Sequence, residues 1–378
     1  MKKLSCVVIL FILLTQAYAQ YPGSRSLLHT QTGRTLTKGG LEFHTDMNFY
    51  TKLGDYIGTT PPQGFNTVNY WLVAGNITGT YGLFDNMDLT VALRLYQDTH
   101  YSNDYNVPDD IFVNLKAGSF AFGRRKFYGA GMFKLRFGTG EVHNYPFAEY
   151  ASGSWEYGVM SAFSYYADPY LPERKFSTHL NLGWYTHNDA GKVVYERGNV
   201  QQKASWNATE LQYALGFKYP VGALDFMLEL HGVYYTNEPD TMVYSRENWT
   251  YVTPSIRYKA YQWLYLDLGM DIRISPDENT TRGVSDVSQN LDLPNYSAWK
   301  VQMGLHFKIL PLALASRTPE EIERDRFNQR VDFFQSIIED RTRVENIQEQ
   351  LDKLKRERQQ TEKELEELKQ VLEEEGQK

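Results

Sequence analysis

From Met87 to Tyr96 the side chains alternate without a break. Met87, Leu89, Val91, Leu93 and Leu95 fall on one face of an extended chain; Asp88, Thr90, Ala92, Arg94 and Tyr96 fall on the other. Such a period of two belongs to a strand, where successive Cβ atoms point to opposite faces, and not to a helix with its period of 3.6. Leu264 to Ile274 repeats the pattern. Twelve such segments can be counted, near residues 39–51, 68–83, 87–98, 109–120, 126–138, 154–167, 175–188, 208–220, 224–236, 250–260, 263–275 and 297–309. Most run about twice the usual strand length of roughly 5–6 residues.

The connections sharpen the constraint because they alternate in length. Short joints stand at Phe84-Asp85-Asn86, Ala121 to Arg125, Val221-Gly222-Ala223 and Tyr261-Gln262, whereas Leu53 to Thr67, Thr99 to Pro108, Gly138 to Gly153, Asn188 to Asn207, Thr236 to Trp249 and Pro276 to Tyr296 are long and polar. An even number of long antiparallel strands, with short turns at one end and long loops at the other, is the layout of an outer-membrane barrel. Both chain ends then lie on the short-turn, periplasmic side. A secreted sandwich or propeller is the soluble alternative, but its outer face would be polar. Here the uncovered face is apolar and carries aromatics near its ends, at Phe43, Trp71, Trp155, Trp184, Tyr219, Trp263, Trp299 and Phe307. That placement matches the aromatic girdles of lipid interfaces.

The N-terminus agrees on the compartment. Lys2 and Lys3 precede an apolar run from Val7 to Leu14 and an A-x-A site at Ala17-Tyr18-Ala19, the pattern of a secretory signal peptide, with an uncleaved anchor as the alternative. The single cysteine, Cys6, lies inside that segment, so disulfides and thiolate chemistry are excluded from the mature chain. The net charge of -7 gives no basic stripe, which argues against a nucleic-acid partner.

Arg34-Thr35-Leu36 through Gly39-Gly40-Leu41-Glu42, and Tyr81-Gly82-Leu83-Phe84-Asp85-Asn86-Met87-Asp88-Leu89, resemble outer-membrane transporter-like proteins of the phenol-degradation meta-pathway group. The resemblance covers the first few strands. It implies uptake of small, often hydrophobic or aromatic compounds and supplies no substrate motif. A long helical tail is not a usual part of that pattern.

The polar phase of the strands predicts the residues that face the lumen. These are Glu42, His44 and Asp46, then Asp88, Arg94, Lys116, Lys134 and Arg136, and on the opposite wall Glu210, Glu229, His231, Arg257, Asp267, Asp271, Arg273 and Lys300, with Lys218, Asp225, Lys259, His306 and Lys308 in the same phase. Lys or Arg on the lipid face would cost about 2–4 kcal/mol each at the midplane, so the interior must be polar. Mixed signs at one level favour pairing over an ion-selective ring. Tyr21 to Gly40 is long enough to enter the lumen as a plug, or else forms a disordered periplasmic leader.

Catalytic and metal signatures are not legible. The eight histidines show no H-E-x-x-H spacing, and no G-x-S-x-G elbow occurs. A lipid hydrolase would have to use His179, His187 or His231 with Ser154, Ser161 or Ser164. Asp104, Asp109 and Asp110 are loop acids that a Ca²⁺ ion or plain solvation would equally explain. No catalytic residue, metal ligand or cofactor is therefore expected.

At Arg317 the composition breaks. Residues 317–378 hold 13 Lys or Arg and 18 Asp or Glu in 62 positions and no Tyr or Trp. Thr318-Pro319-Glu320-Glu321 is a helix start with a capping box. Val344, Ile347, Leu351, Leu354, Leu365, Leu368 and Leu372 follow heptad spacing, interrupted at Arg358 and Thr361, so they predict a coiled-coil seam. A lone charged helix held by i, i+4 pairs is the alternative.

The expected fold is a twelve-stranded antiparallel outer-membrane β-barrel followed by a long periplasmic α-helix or coiled coil. Its parts are a signal peptide (1–19), an N-terminal periplasmic or plug segment (20–38), the barrel (39–310), a linker (311–317) and the helix (318–376). The expected function is a non-enzymatic channel for small, hydrophobic or aromatic solutes, oligomerised through the helix in the outer-membrane lipid. The alternatives are an anchor that tethers the cell wall or a periplasmic partner, and a lipid hydrolase.

Overall fold

A computed structural model of the protein describes residues 25–54, 68–99, 110–139, 147–169, 172, 174–197, 200–261, 263–281, 296–310 and 319–375. The signal peptide expected at 1–19 and the linker at 311–317 lie outside the described residues. The chain divides into two compact units, residues 1–316 and 317–378.

The first unit is a closed antiparallel barrel of twelve strands. In chain order these are β1 (Leu41–Gly54), β2 (Val68–Phe84), β3 (Met87–Thr99), β4 (Asp110–Phe122), β5 (Phe127–Gly138), β6 (Trp155–Tyr166) and β7 (Ser177–Thr186). After a small hairpin of β8 (Val193–Arg197) and β9 (Val200–Lys203) come β10 (Thr209–Val221), β11 (Leu224–Asn237), β12 (Trp249–Lys259), β13 (Leu264–Arg273) and β14 (Trp299–Leu310). The barrel closes where β1 pairs with β14, His44 opposite His306 and Glu42 opposite Lys308. Closure leaves no strand edge with unpaired N–H and C=O groups, the condition for a sheet in lipid.

Two local features depart from the sequence reading. The stretch expected as a plain loop at Asn188–Asn207 carries the β8–β9 hairpin, while β7 pairs directly with β10 across it. Ala167 to Phe176, on the short-turn side, is longer than the other joints there. Gly222 takes φ +61° in the tight β10–β11 turn, a conformation that L side chains rarely adopt.

Alternation turns one side of each strand to lipid and the other inward. On β13 Leu268 is 56 % exposed while its neighbour Asp267 is 4 % exposed. Val91, Phe133, Leu228, Met303 and Ile309 are likewise exposed, and Trp263 stacks between Tyr261 and Phe307 near the short-turn rim. A belt of this kind on a closed barrel needs lipid around it, and the fold is that of a bacterial outer-membrane protein. No helix among the described residues is long and apolar enough to cross a membrane.

The second unit is one helix, α1 (Pro319–Glu375), of 57 residues. Arg358 pairs with Glu362 and Lys353 with Glu357, both four residues apart on exposed turns.

Candidate functional site: a threaded lumen

Residues 25–40 lie inside the barrel. Leu27, Thr30, Gln31, Thr32, Thr35 and Leu36 are all buried, though the segment forms no regular structure of its own. Its backbone groups therefore need partners from the wall, and the wall supplies them in barrel order. Arg257 on β12 donates to the Ser26 carbonyl at 3.0 Å. Glu229 on β11 accepts the N–H groups of Leu28, His29 and Thr30 at 2.9, 2.9 and 2.6 Å. Asn181 on β7 makes a two-way amide pair with Gln31, and Ser164 on β6 accepts the Gly33 N–H at 2.7 Å. The segment then reaches β4 and β3, where Ser119 accepts the Thr35 N–H and Asp88 the Leu36 N–H. Finally it joins β2, with Gly39 donating to the Gly82 carbonyl, and turns into β1.

The wall is also shaped for this thread. A bulge in β4 between Ala117 and Phe120 puts Ser119 at φ 59°, which aims its hydroxyl at Thr35 while its N–H donates to the Gly33 carbonyl. Inward positions on β10 and β13 that the segment passes are glycines. A Cβ at Gly216 would meet Leu27 and Thr30 within 3.0 Å, and one at Gly269 would meet Leu28 at 2.6 Å.

The candidates expected to face the lumen form three levels along the strands. Near the long-loop end, Arg136 donates to Asp110 through Nε at 3.0 Å and to the Tyr150 carbonyl at 3.1 Å, and it lies 3.6 Å from Glu156. His187 sits between Glu156 and Glu210, at 3.2 and 3.6 Å. Asp110, read from sequence as a loop acid, thus starts β4 and faces a guanidinium. Lower down, Asp271 gathers His29 at 2.8 Å, Lys300 at 3.7 Å and Gln302 at 2.7 Å, with His231 at 3.9 Å. At the short-turn end Arg257 grips Asp267 with two bonds of 2.7 and 2.8 Å, Lys259 pairs with Asp225, and Glu42 meets His306 at 3.1 Å. His44 stacks on His306 there, with ring centres 5.5 Å apart.

The remaining candidates spread along the walls. Asp46 accepts from Asn76, to which Arg94 also donates. Lys116 faces Asp88 across the β3–β4 ladder, Lys134 is buried on β5, and Arg273 reaches the Tyr296 carbonyl. Opposite signs share each level, so the interior is a paired network.

His187, just past the end of β7, titrates far from its usual range. Burial alone would lower its pKa, but Glu156 and Glu210 outweigh burial and hold it at about 10. A raised pKa in the folded state contributes stability that is fully present below the unfolded value of about 6.5 and is lost as pH rises through the folded one. The thermal midpoint of the barrel should therefore fall between neutral pH and about pH 10. His187→Gln should flatten that dependence; an unchanged slope would remove His187 from the account.

Of the residues that a hydrolase would use, only Ser164 and His179 come together. Ser164 Oγ lies 2.7 Å from His179 Nδ1, but the other ring nitrogen faces the Ser177 hydroxyl at 3.0 Å and Ser164 is already occupied by the Gly33 N–H. That pair fastens the thread to β6. Ser161 donates to the Leu182 carbonyl on the wall.

At the short-turn mouth a cavity of about 920 Å³ opens beneath the thread. Arg25, Arg34, Lys218, Arg257, His306 and Lys308 line it with Glu42, and Leu36, Leu41 and Tyr265 add apolar surface. The thread was legible only as one of two readings of residues 21–40. Its closest sequence signal was the lone inward glycines and serines on otherwise large-residue strands.

Taken with its apolar belt, this lumen defines an outer-membrane β-barrel whose interior holds part of its own chain. No protein family and no curated protein matches the chain. Among solved structures it is similar to the NanC porin, 9 % identical over 70 % of this chain and 100 % of that one, with a TM-score of 0.44. An outer membrane channel from Pseudomonas putida F1 is 8 % identical over 73 % and 98 %, with a TM-score of 0.45. The Ralstonia pickettii toluene transporter TbuX is 9 % identical over 73 % and 90 %, with a TM-score of 0.33.

Proposed function

We propose that this chain is an outer-membrane channel for small solutes, closed at rest by its own N-terminal segment and assembled as an oligomer through a periplasmic coiled coil. The observation that carries the reading is the thread. A barrel serving only as an anchor needs a filled interior, but packed side chains would fill it. A length of backbone without regular structure, held by one to three hydrogen bonds from each of seven of the twelve strands, is a part that can leave. The cationic and apolar lining of the short-turn cavity suits a small organic anion, such as an aromatic carboxylate, held weakly enough to be released.

The exit of β14 at the short-turn side supports a periplasmic position for the helix. Its length at ~1.5 Å per residue is about 85 Å. Val344, Ile347, Leu351, Leu354 and Leu365 are 51–62 % exposed on the single chain. An apolar stripe at heptad spacing gains by meeting a copy of itself. The seam continues through Leu368 and Leu372, whose side chains lie outside the described residues. Full-length protein in detergent should sediment as an oligomer, and protein ending at Ser316 as a single barrel. Monomers in both would dismiss the seam.

The long exposed helix also favours a second reading, a tether for cell wall or a periplasmic partner. Truncation at Ser316 separates the two: a tether loses capture of peptidoglycan while the barrel still inserts.

A further inference from the structure

The thread brings one metal-binding side chain to two others of the wall that lie more than two hundred residues further along the sequence. His29 comes from the thread, His231 from β11 and Asp271 from β13, and their donor atoms all lie within 4.8 Å of one another. We propose that they form a transition-metal site that clamps the N-terminal segment to the barrel wall. The inference rests on the thread being seated in the lumen and is independent of what the barrel passes.

Two imidazoles and one carboxylate form a nitrogen and oxygen set that suits Zn²⁺, Ni²⁺ or Cu²⁺ better than Ca²⁺ or Mg²⁺, which favour all-oxygen shells. The carboxylate is already oriented. Asp271 Oδ1 receives the Thr253 hydroxyl at 2.7 Å and lies 2.8 Å from His29 Nε2, and Gln302 donates to Oδ2 at 2.7 Å. Groups of this kind fix first ligands and tune the affinity of metal sites. The backbone that carries the first imidazole is fixed as well, since Glu229 accepts the His29 N–H.

The competing cation is Lys300. Its Nζ is 3.7 Å from Asp271 Oδ2 and 4.8 Å from the Tyr251 ring centre, so it attends the oxygen that the imidazoles do not share. The two imidazole rings are stacked at 3.9 Å and 21°. For both nitrogens to reach one ion the rings must pivot out of that stack, and His231 Nε2 must exchange the Thr253 hydroxyl, 3.1 Å away, for the metal.

A ligand set divided between a removable segment and the wall makes metal binding and seating of the thread favour each other by linkage. With the metal bound, the thread should leave the lumen more rarely.

The test uses the full mature chain folded in detergent, with Zn²⁺ and Co²⁺ alone as probes and equilibrium dialysis as the readout. One ion per barrel is expected, and for Co²⁺ the visible bands of a nitrogen and oxygen site. His29→Ala, which alters only the thread, and His231→Ala should each weaken binding by more than the roughly 10–100-fold that loss of a second-shell partner costs. Heat-modifiable gel mobility confirms that each variant is folded. If His231→Ala does not fold, His29→Ala still decides. Absence of a stoichiometric ion, or retention of it in the folded His29→Ala protein, overturns the site. Dialysis reads no flux, so a silent channel would leave this result standing, and failure to bind metal would leave the channel reading untouched.

Discussion

Full-length protein in a planar bilayer should be silent, and protein carrying Gly269→Leu should show conductance steps. The glycine faces the thread at Leu28, where even a single added carbon would stand 2.6 Å from a side-chain atom. A leucine there competes for the volume that Leu28 fills and also presses on Ser255, its partner on β12, so the folding check is part of the test. Gly216→Leu tests the same displacement on β10, against Leu27 and Thr30. Glu229→Ala approaches from the other direction. It removes the carboxylate that accepts three consecutive backbone N–H groups, and hydrogen bonds to a charged group are worth about 1.5–3 kcal/mol each. Three such losses would shift the thread from almost always seated to frequently absent. Silence in all three variants, with folding verified by gel mobility, would mean that the interior stays shut without the thread, and the anchor reading would take its place.

The largest loss of stability should come from Arg136→Ala. Its guanidinium holds Asp110 at 3.0 Å through Nε, approaches Glu156 at 3.6 Å and donates to the Tyr150 carbonyl, all at side chains only a few per cent exposed. Removing the cation leaves the buried carboxylate of Asp110 without its compensating charge, while Glu156 keeps His187; breaking a buried pair in this way typically costs about 3–5 kcal/mol. Urea titration of the refolded barrel measures it. The double variant Arg136→Met with Asp110→Leu should recover much of the loss, because replacing a buried pair by apolar groups of similar volume is often neutral. Equal instability of the double variant would show that Arg136 acts through its bond to the Tyr150 carbonyl and not through its pairing with Asp110.

Much of the barrel was legible from the chain alone for a simple reason. Each strand has one neighbour made of lipid and one made of polar interior, so Leu266, Leu268 and Met270 against Asp267 and Asp271 reveal both the strand and its facing. The turns were equally readable, since only a few residues bridge the hairpins at Asp85-Asn86 and Gly222. What alternation cannot report is the partner on the inner side. Asp88 has the same phase whether it faces water, Lys116 or the Leu36 N–H. The β8–β9 hairpin was missed because its strands are only five and four residues long, too short for alternation to show, and its buried Val194 clusters with Tyr150 and Val243 from distant parts of the chain.

The candidate site was legible in kind but not in arrangement. His231 and Asp271 were recognisable as inward polar residues, and the mixture of signs implied pairing. His29 belonged to a segment with two open readings, and nothing in its spacing linked it to residues more than two hundred positions away. Ser119, Gly216 and Gly269 mattered only once a second segment lay against them.

The sequence by itself determined the closed barrel, its lipid face and the polar character of its interior, because the bilayer imposes one pattern on every strand regardless of how the interior is filled. Only the tertiary structure decided that the interior holds a thread of the chain's own N-terminus and which carboxylate meets which cation. Those contacts join residues distant along the chain, and their energies depend on positions in space that no local period encodes.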